Sequence, residues 1–129
     1  MAELVFAVEM KGTLAPVEGK DGSFTFRASG TGPNGEQVTN ESDVMMLEQG
    51  FKETGTLEYA GRGKVFFETV GVGDIGPSPV PDLSAGAVLW RITGGEGEFK
   101  GASGYITSNF TCTAAGEAVD NNYVRMFLP

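Results

Sequence analysis

A chain of 129 residues, 40% hydrophobic and 20% charged, is long enough for one domain with its own core and too apolar to be disordered. A net charge of −8 argues against nucleic acid and anionic membrane surfaces, both of which favour basic patches. The absence of histidine removes the commonest general base and metal ligand, and with it a Ser or Cys nucleophile worked through an imidazole.

Glu3 to Thr13 alternates Leu4, Phe6, Val8 and Met10 with a second set, the period of a strand with one face inward. Pro16 and Glu18-Gly19-Lys20-Asp21-Gly22 end it in a loop. Ser23 to Ser29 forms a second strand, with Phe24, Phe26 and Ala28 on one face and Thr25 and Arg27 on the other. Gly30 to Gly35 is a turn. Glu36 to Gln49 is ambiguous. Val44-Met45-Met46-Leu47 fits a short helix capped by Asn40 and ended by Gly50, or a buried strand, and its neighbours favour the strand.

Lys52 to Ala60 and Lys64 to Val70 read as strands joined by Gly61-Arg62-Gly63. Gly71 to Ser84, with Pro77, Pro79 and Pro81, breaks all periodicity. It reads as a connection across one end of a barrel, with a lid or the mouth of a site as the alternative. Ala85 to Thr93, Gly101 to Thr113 and Ala118 to Pro129 complete the strands, and the apolar ending implies a last strand that is paired. About eight strands without an amphipathic helix make residues 1–129 a single all-β domain. The architecture is an antiparallel up-and-down β-barrel, or else a sandwich. A barrel of that size has an interior for side chains or one small ligand.

Gly30 to Gly35 and Gly71 to Gly76 each match the glycine spacing of a dinucleotide site. Neither opens a helix, so neither can present a helix N-terminus to a phosphate. No Cys and carboxylate cluster has metal spacing. Cys112 has no partner for an internal disulfide and reads as a small buried hydrophobe. Met1-Ala2-Glu3-Leu4 lacks the basic and apolar regions of a signal peptide, and no apolar run approaches the roughly 20 residues of a membrane span. The expectation is a cytoplasmic protein without cofactor, metal, nucleic acid or membrane.

The chemistry left open is acid–base or electrostatic work by strand charges. These are Glu9, Glu58, Glu68 and Arg91, with Arg27 and Arg125. A carboxylate in an apolar cavity has a raised pKa and can serve as acid or base near neutrality; facing water, it does nothing of the kind. Glu68 shares a face with Phe66 and Val70, and Arg91 with Leu89 and Thr93. Each is therefore cavity-lining or interface-forming, and these two are the catalytic candidates. Phe6, Phe26, Phe67, Trp90 and Tyr123 are the candidate cavity aromatics, with core packing as the alternative. Tyr105 and Asn109 share a polar strand face that would supply hydroxyl and amide hydrogen bonds to a ligand, or lie outside.

Ile92-Thr93-Gly94-Gly95-Glu96-Gly97-Glu98-Phe99-Lys100-Gly101-Ala102-Ser103-Gly104 resembles a hairpin shared by plant allene oxide cyclases and, with variations, by dirigent proteins and bacterial relatives with the same barrel. Its glycines suit a tight turn and close strand approach, and Phe99 suits a plug for the barrel end. The resemblance implies an eight-stranded barrel, a dimer or trimer, whose apolar cavity shapes a small hydrophobic molecule. It implies a cofactor-independent isomerase or cyclase. Dirigent proteins are usually secreted, and the lack of a signal peptide departs from that pattern. The alternatives are a non-catalytic carrier of a hydrophobic ligand and a structural or interaction barrel filled by its own side chains. An apolar cavity of a few hundred Å3 holding a buried carboxylate or arginine would mark the enzyme, a purely apolar cavity the carrier, and a filled interior the third.

Overall fold

Strand alternation runs through the whole chain in the computed structural model, which describes residues Met1–Pro129. The strands are β1 (Ala2–Pro16), β2 (Ser23–Thr31), β3 (Gln37–Met46), β4 (Phe51–Tyr59), β5 (Gly63–Thr69), β6 (Asp74–Pro77), β7 (Leu83–Gly97), β8 (Ser103–Thr113) and β9 (Glu117–Leu128). All pairings are antiparallel, in the order β5-β4-β3-β2-β1-β9-β8-β7-β6. A further ladder between β5 and β7 closes the sheet on itself. The result is a closed barrel of eight strands, with β6 outside it and paired only to the start of β7. Closure leaves no long unpaired edge in the wall. There is no helix, and so none long and apolar enough to cross a membrane.

The ambiguous segment is strand β3. Its inward set is Val38, Asn40, Ser42 and Val44, and its outward set is polar apart from Met45. The proline-rich segment is less irregular than its composition implies. Asp74–Pro77 pairs with Ser84–Ala87, and Gly73 bridges to Phe51, where the Phe51 ring fills the space a Cβ would take.

The glycine-rich stretch also differs from a simple turn. Gly94 and Gly95 lie inside β7, opposite Phe66 and Val65, and the register shifts there because Phe67 pairs with Ile92. A Cβ on Gly95 would meet the Lys64 and Phe99 carbonyl oxygens, so only glycine lets these backbones approach. The reversal comes later. Gly97 has φ 66°, and the Lys100 amide donates to the Gly97 carbonyl.

The topology gives the barrel two unlike ends. One carries the β2–β3, β4–β5 and β7–β8 turns, and it is plugged. Phe99 is fully buried there, with its ring centroid 5.0 Å from that of Tyr59, which meets Phe6 edge-on at 5.9 Å. Arg62 lies over the Phe99 ring at 5.0 Å and donates to Glu36 at 2.9 Å, which holds the Glu36 carboxyl below its ordinary range. Above this plug, Val38, Leu57, Val65, Ile106 and Val124 fill the lower interior at 1% exposure or less. The other end carries the β1–β2, β3–β4 and β8–β9 loops and the β6 segment. That end holds the pocket.

Candidate functional site

The site arises where the inward faces of β3, β4, β8 and β9 stop being apolar. On β4, Phe51, Glu53, Leu57 and Tyr59 share one parity and are all buried. On β9, Ala118, Asp120, Asn122, Val124 and Met126 do the same. Period two thus carries one carboxylate on each strand into the interior. Glu53 is 5% exposed and Asp120 2%.

Each carboxylate has one serine for company. Ser42 Oγ donates to Glu53 Oε2 at 2.5 Å, and Ser108 Oγ donates to Asp120 Oδ1 at 2.5 Å. None of the ion pairs involves either acid; they lie on the outer wall and at the plugged end. Burial without a countercharge therefore dominates. It pushes Glu53 from its ordinary 4.5 up to about 7, opposed by the Ser42 bond and reinforced by the charge of Asp120. It pushes Asp120 from 3.8 up to about 6, opposed by Ser108 and Asn122. The Glu53 backbone is pinned separately. Its N–H donates to Thr69 Oγ1 at 2.8 Å, and that hydroxyl donates to the Glu53 carbonyl at 2.9 Å.

The two acids and Ser108 form the polar part of a pocket. Its walls are Phe26, Val44, Phe51, Phe110 and Ala118, and the half-buried Leu14, Met46 and Ile75 stand beside them. Phe51 and Phe110 meet edge-on at 5.8 Å. Cys112 also lines the pocket, and burial pushes its thiol pKa up, as for an inert core thiol. The space open to the centre of a water-sized sphere is about 60 Å3. That admits a few waters or the leading end of a slim ligand. It is well short of the few hundred Å3 set as the mark of an enzyme cavity, although the buried carboxylates are present. No three of His, Cys, Asp and Glu gather as a metal site.

The sequence candidates fall into two groups. Phe26, Phe67 and Trp90 are buried in the interior. Phe26 lines the pocket, while Phe67 stacks on Trp90 at 4.1 Å below it. Phe6 belongs to the plug, at the opposite end. Glu68 and Arg91 do come together, with Arg91 Nη1 3.7 Å from Glu68 Oε1, but on the outer wall with about half of each side chain exposed. The cavity-lining reading of these two gives way, because Val65 and Phe67 on β5, and Val88, Trp90 and Ile92 on β7, take the inward parity. Tyr105, Asn109 and Tyr123 are outside as well, with Tyr105 6.0 Å from the Arg91 guanidinium. Glu9, Glu58, Arg27 and Arg125 are exposed.

Glu53 and Asp120 escaped the sequence reading. A signal existed on β4, where Glu53 shares parity with Phe51, Leu57 and Tyr59 while Lys52, Thr54, Thr56 and Glu58 make the other face plainly polar. On β9 the faces are less distinct, because Tyr123 and Phe127 balance Val124 and Met126.

No protein-family model matches the chain, and no curated protein matches it in sequence.

Proposed function

We propose that this barrel binds a small, largely apolar molecule at its open end and moves a proton on it with Glu53 and Asp120. This is an isomerase- or cyclase-type reaction that needs no cofactor. One observation carries the reading: two carboxyl groups without a countercharge are buried at one apolar pocket, with pKa values of about 7 and about 6. Such groups cost stability, and an apolar pair of similar volume would serve a purely structural barrel better. Near neutral pH one acid tends to keep its proton while the other has lost it, the condition for paired acid and base. The resemblance of residues 92–104 to the hairpin of allene oxide cyclases and dirigent proteins points to the same class of small hydrophobic ligand. Met46, an unbranched and adaptable side chain, lines the pocket and can re-pack around a larger molecule.

The test uses Trp90, the sole tryptophan, as reporter. Small apolar probes are titrated against its fluorescence. Each bound compound is then incubated with the protein in D2O and examined by mass spectrometry for incorporated deuterium. Binding with incorporation, lost in Glu53→Gln and Asp120→Asn while binding persists, is the expected result. Binding with neither incorporated deuterium nor an isomerised product would make the protein a carrier. No binding at all would leave a filled structural barrel.

A further inference from the structure

Beside the carboxyl pair lie hydrogen-bonding groups that proton transfer alone does not use. Asn40, two residues from Ser42 on the inward face of β3, and Asn122, two residues from Asp120 on β9, are each 2% exposed. Neither the nitrogen nor the oxygen of either amide has a partner within the protein. The Trp90 indole N–H, 1% exposed, has none either. Asn122 lies directly across the ladder from Ser108, which lines the pocket. Asn122 and Trp90 come close enough to Asp120 and Glu53 to favour their ionised forms, although they reach no acceptor at hydrogen-bond distance. Trp90 and Asn122 therefore stand beside the carboxyl pair, and Asn40 shares the inward face of β3 with Ser42. A buried donor left unpaired costs stability. Two unpaired N–H donors beside the pocket acids call for an acceptor from outside the chain.

The chemistry of the site selects that acceptor. A carboxylate or phosphate would face Glu53 and Asp120, with no Lys or Arg among the pocket residues to receive it. An ammonium group would pair with the acids but offers no lone pair to the N–H groups. A neutral carbonyl oxygen satisfies both, accepting from the N–H donors and from whichever carboxyl is protonated. The surrounding wall is apolar, so the rest of the molecule is too.

We propose that the ligand is an enolisable ketone or aldehyde with a small apolar body, its oxygen held by the Trp90 and Asn122 N–H groups, and that the reaction is an allylic proton shift. The inference rests on the proton-transfer reading above and names its substrate class. In a β,γ-unsaturated ketone, the Asp120 carboxylate takes a proton from the α carbon. The electron pair of that C–H bond forms a double bond to the carbonyl carbon, and the carbonyl π pair moves onto oxygen. The N–H donors and protonated Glu53 stabilise the resulting dienolate. The carbonyl then re-forms, the double bond moves into conjugation, and the γ carbon takes the proton back from Asp120. Both acids are restored and no co-reactant is consumed.

The experiment compares four probes of one size: cyclohexanone, cyclohexylamine, cyclohexanecarboxylate and cyclohexane. Each is titrated against the single indole N–H resonance of Trp90 in the intact protein. The expected result is saturable binding of the ketone, with a downfield shift of that resonance, and weaker binding of the amine and the carboxylate by about tenfold or more. The cyclohexenone isomer with its double bond β,γ to the carbonyl should then convert to the conjugated enone, read by its absorbance. The rate should fall on the order of a hundredfold in Asp120→Asn. Preference for the amine, binding of cyclohexane but not of the ketone, or ketone binding with an unmoved indole resonance would each overturn the carbonyl assignment while leaving the pocket intact. If no probe binds, the proton-transfer reading falls with it.

Discussion

Ser42 on β3 donates to Glu53 on β4, Oγ to Oε2 at 2.5 Å, and that hydroxyl is the nearest offset to the burial of a carboxyl group 5% exposed. One neutral donor does not replace a hydration shell, so the Glu53 pKa stays high. Ser108 and Asp120 repeat the arrangement on β8 and β9.

Stability should therefore fall as the pH rises, opposite to the usual behaviour of paired carboxylates. The folded state holds its protons up to about 7 at Glu53 and about 6 at Asp120, whereas the unfolded chain releases them near 4.5 and 3.8. Below those lower values neither acid costs anything. Between them and pH 7 the folded state binds more protons, and its advantage drains away. A shift of this size at Glu53 corresponds to about 3 kcal/mol. Urea melts from pH 4 to 8 should show the decline, and Glu53→Gln should flatten it and stabilise the protein at pH 8. A flat profile in the parent chain would contradict the buried pair.

Phe99 closes the plugged end, touching Tyr59 on one side and Arg62 on the other. Truncation in Phe99→Ala removes a fully buried ring and leaves a cavity, for an expected loss of about 3–5 kcal/mol. Thermal unfolding measures it. A change under about 1 kcal/mol would mean that the plug is dispensable.

Glu68 and Arg91 face each other in half-exposed positions on the outer wall. An ion pair of that kind contributes about 0–1 kcal/mol. The expected outcome for Glu68→Gln and Arg91→Ala is a melting curve close to the parent's, with the Trp90 fluorescence response to probes unchanged. Loss of probe binding in either variant would place the site elsewhere.

Cys112 lines the pocket under a burial that raises its thiol pKa. Its reaction with a disulfide reagent at pH 8 should run on the order of a hundredfold slower than in the urea-unfolded chain, because burial disfavours the thiolate and restricts access to it. A bound apolar probe should slow it further. Rapid labelling of the native protein, read by thiolate release, would show that the pocket is more open than its walls indicate.

Much of the barrel was readable in the order of residues. Strands such as Glu3 to Thr13 and Ala85 to Thr93 declare themselves by alternation, and the ambiguous Val44-Met45-Met46-Leu47 run resolves once its neighbours are strands. Phe99 as a plug was readable too, because a lone aromatic in a glycine-rich hairpin has one use there. The short strand Asp74–Pro77 was not, since its partner on β7 sets its conformation and its own composition argues against it. Of the site acids, Glu53 was legible on β4, whose other face is plainly polar, whereas Asp120 was not, because Tyr123 and Phe127 balance Val124 and Met126 on β9. Val65-Phe66-Phe67 puts apolar side chains on both faces of β5, so the inward face, and with it the position of Glu68, is undecided until β7 sets the register.

The sequence by itself determined strands, turns and the exclusion of imidazole chemistry, because these depend on residues near one another in the chain. Only the pairing of whole strands, completed by the closure of β5 on β7, decided which parity faces inward where a strand carries apolar residues on both faces. That same pairing decided that Glu53 and Asp120, 67 positions apart, line one pocket while Glu68 and Arg91 meet outside. A one-residue slip in any ladder exchanges inside for outside, and only the pairing of whole strands sets the register.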